Sequence, residues 1–359
     1  GQIATLILPA NTAWNESSGP ILAAQPKAPS VPEETAVEKA AIALSYGKTA
    51  GIYLKGNVLR EPGITLAGKI AAKTGCTLYA PTSNARIDRG AGRVAVERVP
   101  YVVDKAIKRL AHLKHLVGIG DAEPVAFFAY PEKPSRVLPQ DCHVQHLASL
   151  NQDGIRVLEM LVEALDAHNQ VPTVVKRGEV ELPRGELTQN SIAAAVSNLL
   201  PEDAIVVDES ISSGRQLNGQ TAGALPHSWL SVWGGAIGIG LPLAVGAGIA
   251  CPDRKVIGLQ ADGSAMYTLQ ALWTLARESV DATIVIYGNR AYRILQGEMA
   301  AVGIKEPGPV ARDMFNLDRP GLDWVSLAKG MGVDGEVVQD TEHFVAAFQR
   351  GLTTPGPYL

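Results

Sequence analysis

From about residue 31 onward, short apolar runs alternate with stretches of helical period, and this alternation restricts the fold more than any other feature of the chain. VEKAAIALSYG, GITLAGKIAAKTG, VPYVVDKAIKRLAHL and GIRVLEMLVEALDAH carry the helical period, while AGIYLKG, CTLYA, KHLVGIG and PSRVLPQ are the short apolar runs between them. Runs that are apolar at nearly every position need cover on both faces, which a parallel sheet flanked by helices provides. The reading is therefore α/β, with doubly wound parallel sheets. Residues 166–187 carry charge, Pro and Gly without periodicity and read as a linker. Beyond it the pattern resumes: a helix LTQNSIAAAVSNLL, a strand AIVVD, a strand KVIGLQ, a helix SAMYTLQALWTLARES, a strand ATIVIYG and a helix GLDWVSLAKGMG. A length of 359 residues suits two such units, 31–165 and 188–359, at a prior of roughly 150 residues each.

Charge and cysteine content remove several function classes. The net charge of −4 has no basic block behind it, and Lys105, Lys108 and Arg109 read as one solvated helix face, so no nucleic-acid surface is expected. Cys76, Cys142 and Cys251 are odd in number and far apart, which offers neither a disulfide framework nor a paired-cysteine metal site and suits the cytoplasm. His143 and His146 beside Cys142 find no second ligand pair at zinc spacing, and His112, His115, His168, His227 and His343 read as surface or core residues. The uncharged stretch from Trp233 to Cys251 is long enough to suggest a membrane span, but its glycines and Pro242 favour a buried loop leading into a tightly packed helix, with Pro242 in the first turn. No signal peptide is recognisable. IATLILPA reads as a buried strand ending at Pro9, followed to residue 30 by a Pro- and Ala-rich connector, and its pairing partner is expected in an upstream domain. The closing TTPGPYL reads as the start of a strand.

The chemistry concentrates between residues 259 and 292. One apolar run ends at Asp262, and the next ends at Asn289, 27 positions later. A strand, a helix and a second strand form a right-handed crossover, which brings both carboxyl ends to one edge of the sheet, where ligands of open α/β sheets bind. A carboxylate and an amide carbonyl are hard oxygen donors suited to Mg²⁺, which takes its remaining ligands from phosphates and water. The expected ligand is a diphosphate held through a metal. Gly263 admits a phosphate to the backbone, and Ser264 can donate its hydroxyl while capping the following helix. An ordinary Asp-Gly turn before a helix is the competing reading.

The stretch resembles the diphosphate motif of thiamine diphosphate (ThDP) enzymes, which opens Gly-Asp-Gly and closes Asn-Asn. Here it reads Ala261-Asp262-Gly263 and Gly288-Asn289, so both departures fall on non-ligand positions. The resemblance implies that Asp262, Asn289 and the carbonyl of Ala291 bind the metal. It spans essentially the whole chain and is closest to the acetolactate synthase and benzoylformate decarboxylase branch, whose members have a pyrimidine-binding, a central and a diphosphate-binding domain. Residues 1–30 then resemble the end of the first of these, 31–165 the central and 188–359 the diphosphate-binding domain. GGAIGIGLP is similar to the family segment beneath the cofactor, which implies that the Gly235 carbonyl accepts from the cofactor's amine and that Ile237 is the apolar wedge that bends it. DESISS resembles the segment at the first strand end, where Ser212 could donate to the diphosphate; Glu209 as an acid at a helix N-terminus is equally compatible.

As the resemblance implies, the activity is decarboxylation of a 2-oxo acid with carboligation to a second carbonyl, or simple decarboxylation; a non-catalytic ThDP-binding homologue is the alternative. Where the decarboxylase branch has a proton-transferring His, EPVAFFAYP offers Phe127 and Phe128, and the synthases' Gln-Trp element is replaced by RAYRILQGEM. The family's activating glutamate lies in the pyrimidine-binding domain, so this chain alone is expected to bind weakly and to catalyse nothing. The synthases also carry FAD in the central domain, for which no feature of this sequence gives support. The family places its cofactor between subunits, which implies a homodimer or homotetramer.

Overall fold

The computed structural model describes residues 5–120, 123–179 and 181–359. After a short helix α1 (Ala10–Trp14), α2 (Glu34–Leu44) leads into β1 (Ala50–Leu54), α3 (Glu61–Thr74), β2 (Thr77–Ala80), β3 (Ile87–Arg89), β4 (Glu97–Arg98), α4 (Val103–Leu110), β5 (His115–Ile119), β6 (His143–Ala148) and α5 (Gly154–Ala164). The second half runs α6 (Gln189–Leu199), β7 (Ile205–Glu209), α7 (Leu217–Gln220), β8 (His227–Ser231), α8 (Gly240–Ala250), β9 (Val256–Ala261), α9 (Asp262–Ala265), α10 (Ala271–Arg277) and β10 (Ala282–Tyr287). Four helices close it: α11 (Arg293–Ala301), α12 (Pro309–Met314), α13 (Trp324–Gly330) and α14 (Thr341–Thr353).

Two five-stranded sheets result, in the orders β4-β2-β1-β5-β6 and β10-β9-β7-β8-β3. Every pairing is parallel except β3 with β8. All five residues of β1 and all six of β9 are buried, which is why their sequences are apolar without alternation. Local signals set the helix ends. Thr188 and Ser191 cap α6 reciprocally, Asp153 and Asp340 accept from the first-turn amides of α5 and α14, and Gly75 ends α3 in the left-handed region at φ 79°. One core cluster takes in α2, α3 and α5 of the first sheet and α6 and α14 of the second, with Ile87 and Val94 among its members. The outer faces are covered separately, by α4 on the first sheet and by α8, α10 and α13 on the second.

Several expectations are corrected. IATLILPA is not a buried strand: residues 5–9 make no strand pairing, Leu6 and Ile7 are each 85% exposed, and residues 1–4 lie outside the described set. No strand among the described residues lies alongside it. PSRVLPQ is irregular, whereas HVQHLA is the strand β6, masked in the sequence by polar residues that an edge strand tolerates. β3, from the first half of the chain, crosses to the edge of the second sheet. SAMYTLQALWTLARES is two helices rather than one: a run of i→i+3 amide bonds from Tyr267 to Trp273 separates α9 from α10, and the Thr268 hydroxyl is drawn aside to the Gly238 carbonyl at 2.7 Å. The uncharged stretch 233–251 becomes a loop and the eleven-residue α8, and among the described residues no helix is long and apolar enough to cross a membrane. The chain's end does reach the sheet, where Tyr358 bridges Thr283 in parallel.

Candidate functional site

The parallel pairing of β9 with β10 sets Ala261 opposite Tyr287, so Asp262 and the 288–291 segment emerge at the same sheet edge. The Asp262 carboxylate is 2% exposed. One oxygen accepts from the Gly263 amide at 2.8 Å and the other from the Arg290 amide at 2.6 Å. Burial pushes its pKa up, and no ion pair reaches it among the described residues. The Asn289 side chain donates to the Ser213 hydroxyl at 3.1 Å and accepts from the Ala291 amide at 2.9 Å, while the Ala291 carbonyl accepts from the Arg293 amide at 2.9 Å.

Gly263 lies under Tyr292, whose ring carbon would stand 2.6 Å from an added Cβ. Ser264 is buried here but does not cap a helix: α9 begins at Asp262, with Ala261 in the cap position, so Ser264 is the third residue of the turn. Its neighbour Asp262 already holds the first-turn amide that a cap would take. Ser212 is half-buried in the turn after β7, and it is Ser213, 6% exposed, that meets Asn289. Nothing in DESISS distinguishes the two serines, because the turn between them and β7 places Ile211 at φ 49°, an unusual conformation for a β-branched residue. Arg290, after β10, also has positive φ, at 56°. Strained backbone thus sits at both strand ends that face Asp262.

The Gly-rich segment crosses beside these strand ends. Gly234, Gly235 and Gly238 have φ of 69°, 72° and 90°, the left-handed region that favours glycine. The Glu209 carboxylate, 1% exposed at the end of β7, accepts from the Gly238 amide at 2.6 Å and the Gly240 amide at 2.7 Å. It therefore holds the N-terminus of α8, the helix-acid role the sequence offered it. Burial raises its pKa against those hydrogen bonds. Gly235 lies exposed against the Phe127 ring, and Ile237 is 37% exposed. Two features escaped the sequence: Gln260, fully buried against Gly240, and Glu298 on α11, which accepts from the phenols of Tyr101 at 2.9 Å and Tyr130 at 2.8 Å. Both depend on contacts with no local signal.

A cavity of about 780 Å³ runs along the β10 side of this edge, and Ser213, Asp262 and Asn289 line it. The donors are one carboxylate, one side-chain amide and backbone carbonyls, a set that fits a hard divalent cation retaining phosphate and water ligands.

Loops converging on the carboxyl edge of a parallel sheet define an α/β protein that binds its ligand across strand ends. The family described as "Thiamine pyrophosphate enzyme, C-terminal TPP binding domain" matches residues 217–359. The candidate acetolactate synthase large subunit IlvX of Mycobacterium tuberculosis is 43% identical over 359 residues, which is 100% of this chain and 69% of that protein. Benzoylformate decarboxylase of Pseudomonas aeruginosa is 34% identical over 176 residues, 49% of this chain and 32% of the decarboxylase. The solved structure of the thiamine diphosphate-dependent 4-hydroxybenzoylformate decarboxylase of Rhodococcus jostii superposes with TM-score 0.75 at 25% identity, covering 94% of this chain and 65% of that one. The chain belongs to the thiamine diphosphate-dependent enzyme family, among the relatives of acetolactate synthase large subunits and benzoylformate decarboxylases. It spans about two thirds of the length of the relatives that it matches from end to end.

Proposed function

We propose that the chain binds ThDP through Mg²⁺ at the β7, β9 and β10 strand ends and serves an acetolactate synthase-like reaction on a 2-oxo acid. Asp262 carries the reading. A carboxylate this deeply buried, holding two backbone amides and no cation among the described residues, is costly unless a cation binds it. Asp262, Asn289 and the Ala291 carbonyl would hold the metal. Ser212, Gly263 and Ser264 would meet the diphosphate, the Gly235 carbonyl would accept from the cofactor's amine, and Ile237 would supply the apolar wedge. Bound there, ThDP supplies the carbon nucleophile that adds to the carbonyl and accepts the electron pair released with CO₂. The chain's own part is to orient and to exclude water: Glu209 pins the Gly-rich segment to β7, and Phe127 covers Gly235 with a ring that carries no transferable proton.

End-to-end likeness to a candidate acetolactate synthase subunit supports carboligation as the outcome. Simple decarboxylation is the second reading, favoured by the superposition on a 4-hydroxybenzoylformate decarboxylase. A cytoplasmic homodimer or homotetramer, with residues 1–30 as the connector from a pyrimidine-binding domain, belongs to the same proposal. The test is calorimetric titration with ThDP, with and without Mg²⁺, on the chain and on Asp262→Ala. Metal-dependent heat absent from the variant supports the proposal; equal heat in both proteins refutes it.

A further inference from the structure

Arg290 stands in the chain between Asn289 and Ala291, two of the three residues proposed to hold the metal. Its φ of 56° lies in the left-handed region, which glycine enters freely and a residue with a Cβ enters at a cost. Neighbouring backbone enforces that conformation. The Arg290 amide donates to the second Asp262 oxygen at 2.6 Å, and its carbonyl accepts from the Leu317 amide at 2.8 Å. The next two residues are tied to the same segment, Ala291 by an antiparallel bridge to Asn316 and Tyr292 by its amide to the Phe315 carbonyl at 2.8 Å. Arg290 makes its own bonds through main chain alone, so a glycine would make them without the strain. The outlier therefore points to the side chain.

That side chain is exposed and belongs to the lining of the 780 Å³ cavity, with Ser213, Asp262 and Asn289. Arg290 is the one basic residue of this lining, which holds three acids, Asp262, Asp323 and Glu336. Those acids have other partners. Asp262 takes the Arg290 amide rather than its guanidinium, Asp323 caps α13 through the Ser326 amide at 3.0 Å, and Glu336 is held by Arg350 at 2.6 Å and His343 at 2.8 Å. A guanidinium presents its N–H groups as a planar fork that matches two phosphate oxygens, and Mg²⁺ balanced against Asp262 has only part of its charge left for a diphosphate.

Resting on the ThDP reading above, we propose that the Arg290 guanidinium is a further ligand of the diphosphate, donating to phosphate oxygens that the metal leaves free. The left-handed backbone is then the stability cost of placing a base beside the metal site. One residue serves both charges: its amide orients the Asp262 carboxylate and its side chain meets the phosphate. Affinity and stability should accordingly move in opposite directions when the side chain is removed.

The test uses the full chain with Mg²⁺, titrated calorimetrically with ThDP and with inorganic pyrophosphate, and melted without ligand. Arg290→Gly should weaken both ligands about tenfold and raise the melting temperature by about 2 °C, because the left-handed conformation then carries no strain. Arg290→Lys keeps the charge without the fork and should recover only part of the affinity. Arg293→Gln removes the same charge outside the cavity lining and should leave both affinities within about twofold. Unchanged affinity of Arg290→Gly for either ligand overturns the proposal, as does a fall in its melting temperature, which would make the side chain a structural one. Full recovery in Arg290→Lys, or an equal loss in Arg293→Gln, overturns it too, since the effect would then be one of general charge. The cofactor reading is judged on the unsubstituted chain. Binding of neither ThDP nor pyrophosphate there removes that reading and this inference with it, whereas Mg²⁺-dependent ThDP binding that Arg290→Gly leaves intact removes this inference alone.

Discussion

Phe127 stands directly on Gly235: a Cβ added to the glycine would lie 2.6 Å from the tip of the ring. The contact joins the loop after β5 to the segment before α8, residues 108 positions apart, and covers the backbone proposed to face the cofactor. Because Phe127 is 47% exposed and meets the glycine with its outer edge, it can swing away. The φ of 72° at Gly235 cannot be relieved in that way. Gly235→Ala should therefore cost about 1 kcal/mol, mostly from backbone strain, and Phe127→Ala should restore little of it. A double-mutant cycle by urea denaturation checks this, and a full rescue would show that the ring clash dominates.

Two glycines of α8 should respond in opposite directions. A Cβ at Gly240 would fall 1.9 Å from the amide of Gln260, which is fully buried and has no room to move. Gly240→Ala should destabilise by about 2 to 3 kcal/mol. Nothing lies within 4 Å of a Cβ at the exposed Gly246, so Gly246→Ala should stabilise by up to about 1 kcal/mol through helix propensity. Thermal unfolding of both variants gives the comparison.

The raised pKa of Asp262 predicts a pH effect that the cofactor reverses. Burial favours its protonated form in the folded chain, so its contribution to stability is fully present below the unfolded pKa and is lost as pH rises through the raised folded value. On the proposed reading, Mg²⁺ with ThDP would bind the ionised form, cancel that loss and release a proton on binding. Melting curves of the chain and of Asp262→Ala from pH 4 to 8 should differ by that slope without ligand, over and above the changes due to Glu209 and His227 that both share. With ligand present the difference should vanish from the wild-type side, and Asp262→Ala should show no ligand effect on its own pH dependence.

His227 acts in the other direction. Burial holds its pKa down to about 4, and Nδ1 donates to the Leu225 carbonyl at 2.6 Å. The unfolded chain takes up a proton near pH 6.5 that the folded chain refuses until about pH 4, so stability is complete above the first value and falls as pH drops towards the second. The loss attributable to His227 approaches about 3 kcal/mol at the limit. His227→Gln should flatten that part of the acid limb; an unchanged limb would place the proton uptake elsewhere.

Glu298 ties α11 to the first sheet through Tyr101 and Tyr130. Glu298→Gln should weaken both contacts by about 1 kcal/mol in total and raise amide exchange in α11 while leaving β9 and β10 protected. Uniform exchange changes across both sheets would show that the contact is global rather than local.

The sequence alone determined what depends on local period and spacing. Uninterrupted apolar runs required strands buried on both faces, Pro242 allowed α8 despite its neighbouring glycines, and the interval from Asp262 to Asn289 implied one crossover and therefore one shared strand-end edge. The tertiary structure decided whatever rests on partners distant in the chain. β6 and β8 form from polar-containing segments because neighbouring strands supply their hydrogen bonds, and residues 5–9 form no strand because no described strand lies beside them. Ser213 rather than Ser212 meets Asn289 because the strained turn at Ile211 sets which hydroxyl faces β10. Periodicity records how much of each segment must be buried; it does not record against what, because burial is satisfied by any apolar neighbour whereas a hydrogen bond or a ring contact needs one partner at one position.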